Sequence, residues 1–150
     1  MTGQVPLIVH AGLIAARRRG RWRGVLIEGP SGAGKSDLAL RALDAGFQLV
    51  ADDRVALWVS GGRLFGRAPP TLAGLIEVRG LDVVSSPALI LAKVVLVATY
   101  NSPERIPARQ SADRLGVDLP LVELDFRDAS APAKLSRALD LFDEGSNRRI

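Results

Sequence analysis

A chain of 150 residues with 47% hydrophobic side chains has material for one sizeable core, so a single domain spanning 1–150 is expected. Its 24% charged fraction, with a mixture of strand-like and helix-like stretches, describes an ordinary globular chain and not a disordered or fibrous one, and the lack of cysteine excludes disulfide frameworks, thiolate metal sites and thiol redox chemistry. The net charge of +4 is modest, but Arg17, Arg18, Arg19, Arg21 and Arg23 cluster with no acid between them. Such a cluster offers either a contact for nucleic acid or an acidic protein, or a solvated basic turn between two buried strands; with no aromatic-rich surface beside it, the turn is favoured.

Taken in chain order, the apolar stretch from Pro6 to Ile14, holding the only histidine, predicts a strand that the arginine cluster with Gly20 and Gly24 turns back. The apolar run Val5 to Ala16 has its arginines behind it, the wrong order for a secretory signal, so a cytoplasmic setting is expected. Val25-Leu26-Ile27 reads as a short buried strand running into a glycine-rich loop. After it, Leu38, Ala39, Ala42 and Leu43 share one helical face up to the stop at Gly46, which predicts a helix from Lys35 to Ala45. Phe47 to Ala51 is a further apolar run that delivers Asp52-Asp53. Val55–Val59 then pairs with Arg63–Phe65 across Ser60-Gly61-Gly62 as a hairpin.

Arg67 to Gly74 reads as a surface loop before a strand at Leu75 to Gly80. The most apolar stretch, Ala88 to Thr99, is interrupted by Lys93 and too short to span a bilayer; its part Lys93–Ala98 reads as the central strand. Asn101 to Arg109 is polar with two prolines, Leu121 to Phe126 predicts a strand, and Leu135, Ala138, Leu139 and Phe142 lie at helical spacing within Lys134–Phe142. The last residues are expected to fray.

The segment Gly29-Pro30-Ser31-Gly32-Ala33-Gly34-Lys35-Ser36 matches the phosphate-loop pattern G-x-x-x-x-G-K-[ST] between a strand and a helix, the context the pattern requires. Glycines allow successive backbone N–H groups to face one concavity, and a helix start adds partial positive charge where a polyphosphate would sit. Lys35 brings a full charge to the transferred phosphate, and Ser36 brings a hydroxyl to magnesium. A nucleoside triphosphate with Mg2+ is therefore the expected ligand. The acid that many phosphate-loop nucleotidases carry at the end of a later strand is missing, since Val94–Ala98 runs into Thr99 and Tyr100.

Asp52, Asp53 and Glu77 remain as candidates for metal and proton work. On local grounds the aspartate pair reads equally as a proton acceptor or as a turn that begins the hairpin, and Glu77 as a solvent-facing strand residue. His10, in its apolar run, reads locally as a buried histidine held by the backbone.

Together, His10-Ala11-Gly12, the loop Gly29 to Ser36, Leu49-Val50-Ala51-Asp52-Asp53-Arg54-Val55 and Glu77-Val78-Arg79-Gly80-Leu81 resemble the C-terminal catalytic domain of HPr kinase/phosphorylase. The resemblance runs over nearly all of Leu7 to Phe142 and implies an α/β, phosphate-loop, mixed-sheet core akin to phosphoenolpyruvate carboxykinase. It implies an ATP- and Mg2+-dependent kinase for a serine of HPr, the phosphocarrier of the sugar phosphotransferase system. Site residues follow from it: Lys35 on the phosphates, Ser36 and Glu77 on magnesium, Asp53 as acceptor of the serine proton with Asp52 beside it, and Arg79 stabilising charge. His10 becomes an active-site residue, although the stretch from His10 to Gly29 is longer here than in the family pattern. Arg105, in Pro103-Glu104-Arg105-Ile106, corresponds to a family catalytic arginine.

Where the family has a segment associated with phosphorolysis, this chain has the divergent Leu124-Asp125-Phe126-Arg127-Asp128-Ala129, so the kinase direction is expected and phosphorolysis, the second activity of a bifunctional kinase/phosphorylase, is disfavoured. Pro30 also departs from the aspartate common at its place in the family's loop. With the phosphate loop beginning at Gly29, the resemblance leads to the expectation of a short form without the family's N-terminal domain, like those of alphaproteobacteria, and it implies a homo-oligomer, hexameric by resemblance. Two other readings stay open: a small-metabolite kinase using the same loop and acids, and a nucleotide-sensing module with negligible turnover. A guanine-nucleotide switch is disfavoured, because Asn101-Ser102-Pro103-Glu104 is a poor substitute for Asn-Lys-x-Asp.

Overall fold

The computed structural model describes residues 5–142, so the fraying expected at the end of the chain lies outside the described residues. In order the elements are β1 (Leu7–Val9), β2 (Gly12–Arg18), β3 (Arg21–Glu28), α1 (Lys35–Leu43), β4 (Gln48–Ala51), β5 (Val55–Ser60) and β6 (Arg63–Arg67). A 3-10 turn at Pro70–Leu72 leads to β7 (Leu75–Val78), β8 (Asp82–Ser85), β9 (Ala92–Tyr100), β10 (Gln110–Arg114), β11 (Val117–Leu124) and α2 (Ala131–Leu141).

β9 is the hinge of the architecture. Its stretch Val94 to Thr99 runs beside β3 in parallel, and its end, Val97 to Tyr100, pairs in parallel with β11. Its start is shared differently, with Lys93 and Ala92 opposite Phe65 and Gly66 of antiparallel β6. From β6 the sheet continues through β5 to β1, and from β3 it continues antiparallel through β2 to β4. The result is the expected mixed sheet, of nine strands among the described residues, with β7–β8 as a separate two-stranded hairpin.

The period-two alternation of the central strands decides which core each residue enters. Ile14, Ala16, Val25 and Ile27 face Leu38, Ala39 and Ala42 of α1 and Leu135 and Leu139 of α2. Leu13, Ala15, Leu26 and Val97 face the other way, onto Val55, Leu57 and Leu64 of the β5–β6 hairpin. Burial on both faces explains why Val25–Ile27 of β3 and Val94–Ala98 of β9 read as unbroken apolar runs.

Several boundaries differ from expectation. The arginine cluster is a solvated turn only in part: Arg17, Arg19 and Arg21 are exposed, but Arg17 and Arg18 lie in β2, Arg21 and Arg23 in β3, and the turn itself is left to Arg19 and Gly20. Arg23 is only 7% exposed, Arg17 lies over the Trp22 ring at 5.8 Å, and Arg18 pairs with Asp140 at 2.7 Å and with Ser136 of α2. Strand pairing overrides charge here because the stems of the arginines cover apolar surface. Two strands without apolar alternation, β8 and β10, gave no sequence signal; each forms because a tight turn returns the chain onto a partner. β11 starts at Val117 rather than Leu121, as the partner of β10, and ends at Leu124, leaving Phe126 buried beyond the strand.

Gly24 sits where β3 slips register against β9, and a Cβ there would stand 2.6 Å from the Lys93 carbonyl oxygen. Gly24→Ala is expected to destabilise the fold by about 2 kcal/mol through forced displacement of backbone. Urea denaturation checks this: the midpoint falls while the slope is unchanged.

Candidate active site

The parallel strands β3, β9 and β11 all end at one edge of the sheet, where ligands of α/β sheets gather. There β3 passes into the loop 29–36, which turns into α1 through Gly34 at φ 102, a left-handed conformation that costs a glycine little. The start of α1 has no side-chain cap. Its first N–H groups are thus available to an anion, in the direction the helix dipole favours.

Lys35 is buried, and its ammonium folds back onto the loop, donating to the carbonyl oxygens of Gly29 at 2.7 Å and Pro30 at 3.0 Å. Burial pushes its pKa below the ordinary lysine value of 10.5, while the charges of Asp53 and Asp52 pull the other way. Ser36 donates its hydroxyl to Oδ1 of Asp52 at 2.7 Å. Asp52, only 5% exposed, receives at Oδ2 the backbone N–H of Glu77 at 3.0 Å. One carboxylate at the end of β4 therefore ties together the start of α1 and β7.

Asp53 has the opposite surroundings. It is exposed, stands at φ 70 in a three-residue turn closed by Arg54 N–H on the Asp52 carbonyl oxygen at 2.8 Å, and its Oδ1 lies 2.8 Å from Nε2 of His10. A non-glycine residue in the left-handed region costs on the order of 1 kcal/mol, and that strain turns two adjacent carboxylates to different tasks. His10 is exposed at the break between β1 and β2, so the local reading of a buried, backbone-held histidine is overturned.

The structure thus gathers His10, Asp52, Asp53, Lys35 and Ser36 around the loop. Glu77 reaches this group through its backbone N–H, with its side chain exposed in β7. Arg79 lies exposed at the turn between β7 and β8. Arg105 sits in the exposed segment 101–109, in a groove also lined by Arg109, Val122, Lys134 and Phe142, and no residue of 29–36 lines that groove.

Five residues at or behind the loop, Arg127, Tyr100, Phe126, Glu28 and Arg114, were not singled out from sequence as site residues. Arg127 donates to the carbonyl oxygen of Gly32 and comes within 3.5 Å of the Tyr100 hydroxyl. Phe126, fully buried, lies under the loop, where a Cβ on Gly29 would meet its ring at 3.3 Å and the Tyr100 Cβ at the same distance. Behind the loop, Glu28 is gripped by Arg114 at 2.8 and 2.6 Å, a bidentate pair that raises the pKa of the arginine. The available signal was topological: strand ends adjacent to a phosphate-loop strand face the same ligand edge.

Residues 21–135 match the family model of the HPr serine kinase C-terminal domain; His10 lies ahead of the matched region. Among curated relatives, the HPr kinase/phosphorylase of Clostridium tetani is 40% identical over 99 residues, covering 63% of this chain and 32% of the relative. That of Clostridium novyi is 34% identical over 131 residues, covering 82% and 42%. The chain thus spans less than half the length of these relatives. In fold it is similar to the Hpr(Ser) kinase/phosphatase from Coxiella burnetii, with a TM-score of 0.78 over 94% of this chain and 99% of that one at 23% identity. With well over half of its residues matched by that one model, the chain belongs to the HPr serine kinase C-terminal domain family.

Proposed function

We propose that this chain is a cytoplasmic protein serine kinase domain that transfers the γ-phosphoryl group of ATP, with Mg2+, to an HPr-like phosphocarrier. The observation that carries the reading is the division of labour between adjacent aspartates, Asp52 buried against the Ser36 hydroxyl and Asp53 exposed against His10. A sensing module has no use for an exposed, strained carboxylate beside a histidine at the mouth of a phosphate cradle.

The donors suit magnesium. Ser36 and Asp52 offer hard oxygen atoms, the ligand type taken by an ion that also keeps waters and phosphate oxygens. Ser36 and Asp52 would hold it, with Glu77 beside them; when bound, the ion neutralises charge on the phosphate oxygens. The amides of the loop and of the start of α1 hold the polyphosphate, and Lys35 exchanges its loop carbonyls for phosphate oxygens. At the open side, Asp53 takes the proton of the acceptor serine hydroxyl. The serine oxygen then bonds to the γ-phosphorus while the bond to the ADP oxygen breaks. His10 fixes the Asp53 carboxylate for that step. Arg79 and Arg105 are proposed to meet the transferring charge or the acceptor from the exposed segments that carry them.

Incubation with labelled ATP, Mg2+ and purified HPr tests the reading: label on an HPr serine supports it, and label reaching only a small metabolite overturns the acceptor assignment. Asp53→Asn should leave ATP affinity within about twofold and reduce transfer by about a thousandfold, as loss of a general base does; calorimetry and phosphotransfer check the two halves separately. Ser36→Ala should raise the Mg2+ concentration needed for half-maximal transfer by about tenfold, read from magnesium titrations.

The depressed pKa of Lys35 has a consequence for pH. Bound polyphosphate stabilises the ammonium and raises that pKa, so in the alkaline window below 10.5 binding is accompanied by proton uptake and weakens as pH rises. Calorimetry in two buffers of different ionisation enthalpy measures the uptake, which should vanish in Lys35→Arg.

A further inference from the structure

The sheet order assigns the two sides of the phosphate cradle different work. β3, which leads into the loop, has β2 and then β4 on one flank and β9 and then β11 on the other. The acid side is the β2 and β4 flank: His10 precedes β2, and Asp52 and Asp53 follow β4. A triphosphate whose reacting end faces those carboxylates must direct its nucleoside toward the ends of β9 and β11.

Tyr100 closes β9, and Arg127 follows the end of β11. Tyr100 is 37% exposed, with its ring held edge-on to buried Phe126 at 5.4 Å between centroids. Arg127 is exposed, but its guanidinium is held by the Gly32 carbonyl oxygen and lies 3.5 Å from the Tyr100 hydroxyl. Its backbone is fixed as well, because its N–H donates to Oδ1 of Asp125 at 3.1 Å. A ring and a guanidinium plane, both anchored and both partly open to solvent, thus stand at the rim of the loop. Asn101 next to them has its amide committed to Glu123 at 3.0 Å and its carbonyl to Ser102 N–H at 2.8 Å, which leaves flat surfaces as the principal offer to a ligand.

We infer that Tyr100 and Arg127 form the shelf on which the nucleobase and ribose of the triphosphate rest, with Arg127 held in place by the Gly32 carbonyl oxygen. The inference builds on the phosphate-loop reading above and names the other end of the same ligand. Planar cations and phenol rings bind the faces of bases by stacking and cation–π attraction, in amounts of about a tenfold change in affinity per base.

The test compares two ligands in the presence of Mg2+, ATP and inorganic tripolyphosphate, by calorimetry on the chain and its variants. Arg127→Ala and Tyr100→Leu are each expected to weaken ATP about tenfold and to leave tripolyphosphate within about twofold. Arg127→Lys, which keeps the charge and the reach to Gly32 but not the plane, should follow Arg127→Ala for ATP. Equal weakening of both ligands in Arg127→Ala would mean that the arginine serves the phosphates or the loop alone, and it overturns the shelf. Unchanged ATP affinity in both Arg127→Ala and Tyr100→Leu overturns it too. Wild type that binds tripolyphosphate as tightly as ATP overturns the shelf while sparing the phosphate cradle. Wild type that binds neither removes both.

Discussion

A single buried carboxylate holds the site in shape. Asp52 accepts from the Ser36 hydroxyl and the Glu77 backbone N–H, and so joins the start of α1, the end of β4 and β7, three elements from separate parts of the chain. A carboxylate this deeply withdrawn from water is costly unless both oxygens are satisfied, so any shift of β4 relative to the loop exposes an unsatisfied charge. The same bond places a hard anion next to the hydroxyl that a magnesium ion would take. Structural cohesion and ion binding therefore depend on one contact.

Around that contact the cations and carboxylates of the loop are arranged for exchange. Lys35 rests on the carbonyls of Gly29 and Pro30, which compensate its burial. A polyphosphate offers stronger acceptors at the same place, so binding replaces one set of partners by another without stranding the charge. Asp53, one residue beyond Asp52, is turned outward by a left-handed backbone and leans on His10. Two neighbouring aspartates thereby acquire opposite solvation, and with it different chemistry, by backbone conformation alone.

The sheet supplies orientation. Parallel pairing of β3 with β9 and of β9 with β11 brings three strand ends to one edge, and the antiparallel partners β2 and β4 bring the acids to the other flank of the loop. The β5–β6 hairpin, packed on the opposite face, keeps this sheet buried on both sides. Membership of the HPr serine kinase C-terminal domain family is consistent with this plan, and the fold shared with the Coxiella burnetii protein extends across 94% of the chain.

Much of this was legible in the residues. The loop 29–36, the helix after it, the central strand at Lys93–Ala98 and the paired aspartates follow from local rules of glycine geometry and hydrophobic period, which act over a few residues and leave their mark in sequence. β8, β10 and the true extent of the β2–β3 hairpin left no such mark, because those strands exist through their partners and not through their own alternation. The pairing of His10 with Asp53 spans 43 positions, and that of Arg127 with Gly32 spans 95. No local pattern encodes a contact at such separation. Only the folded sheet, by fixing which strand ends are neighbours, decided that a histidine between β1 and β2 meets an aspartate after β4, and that an arginine after β11 rests on the phosphate loop.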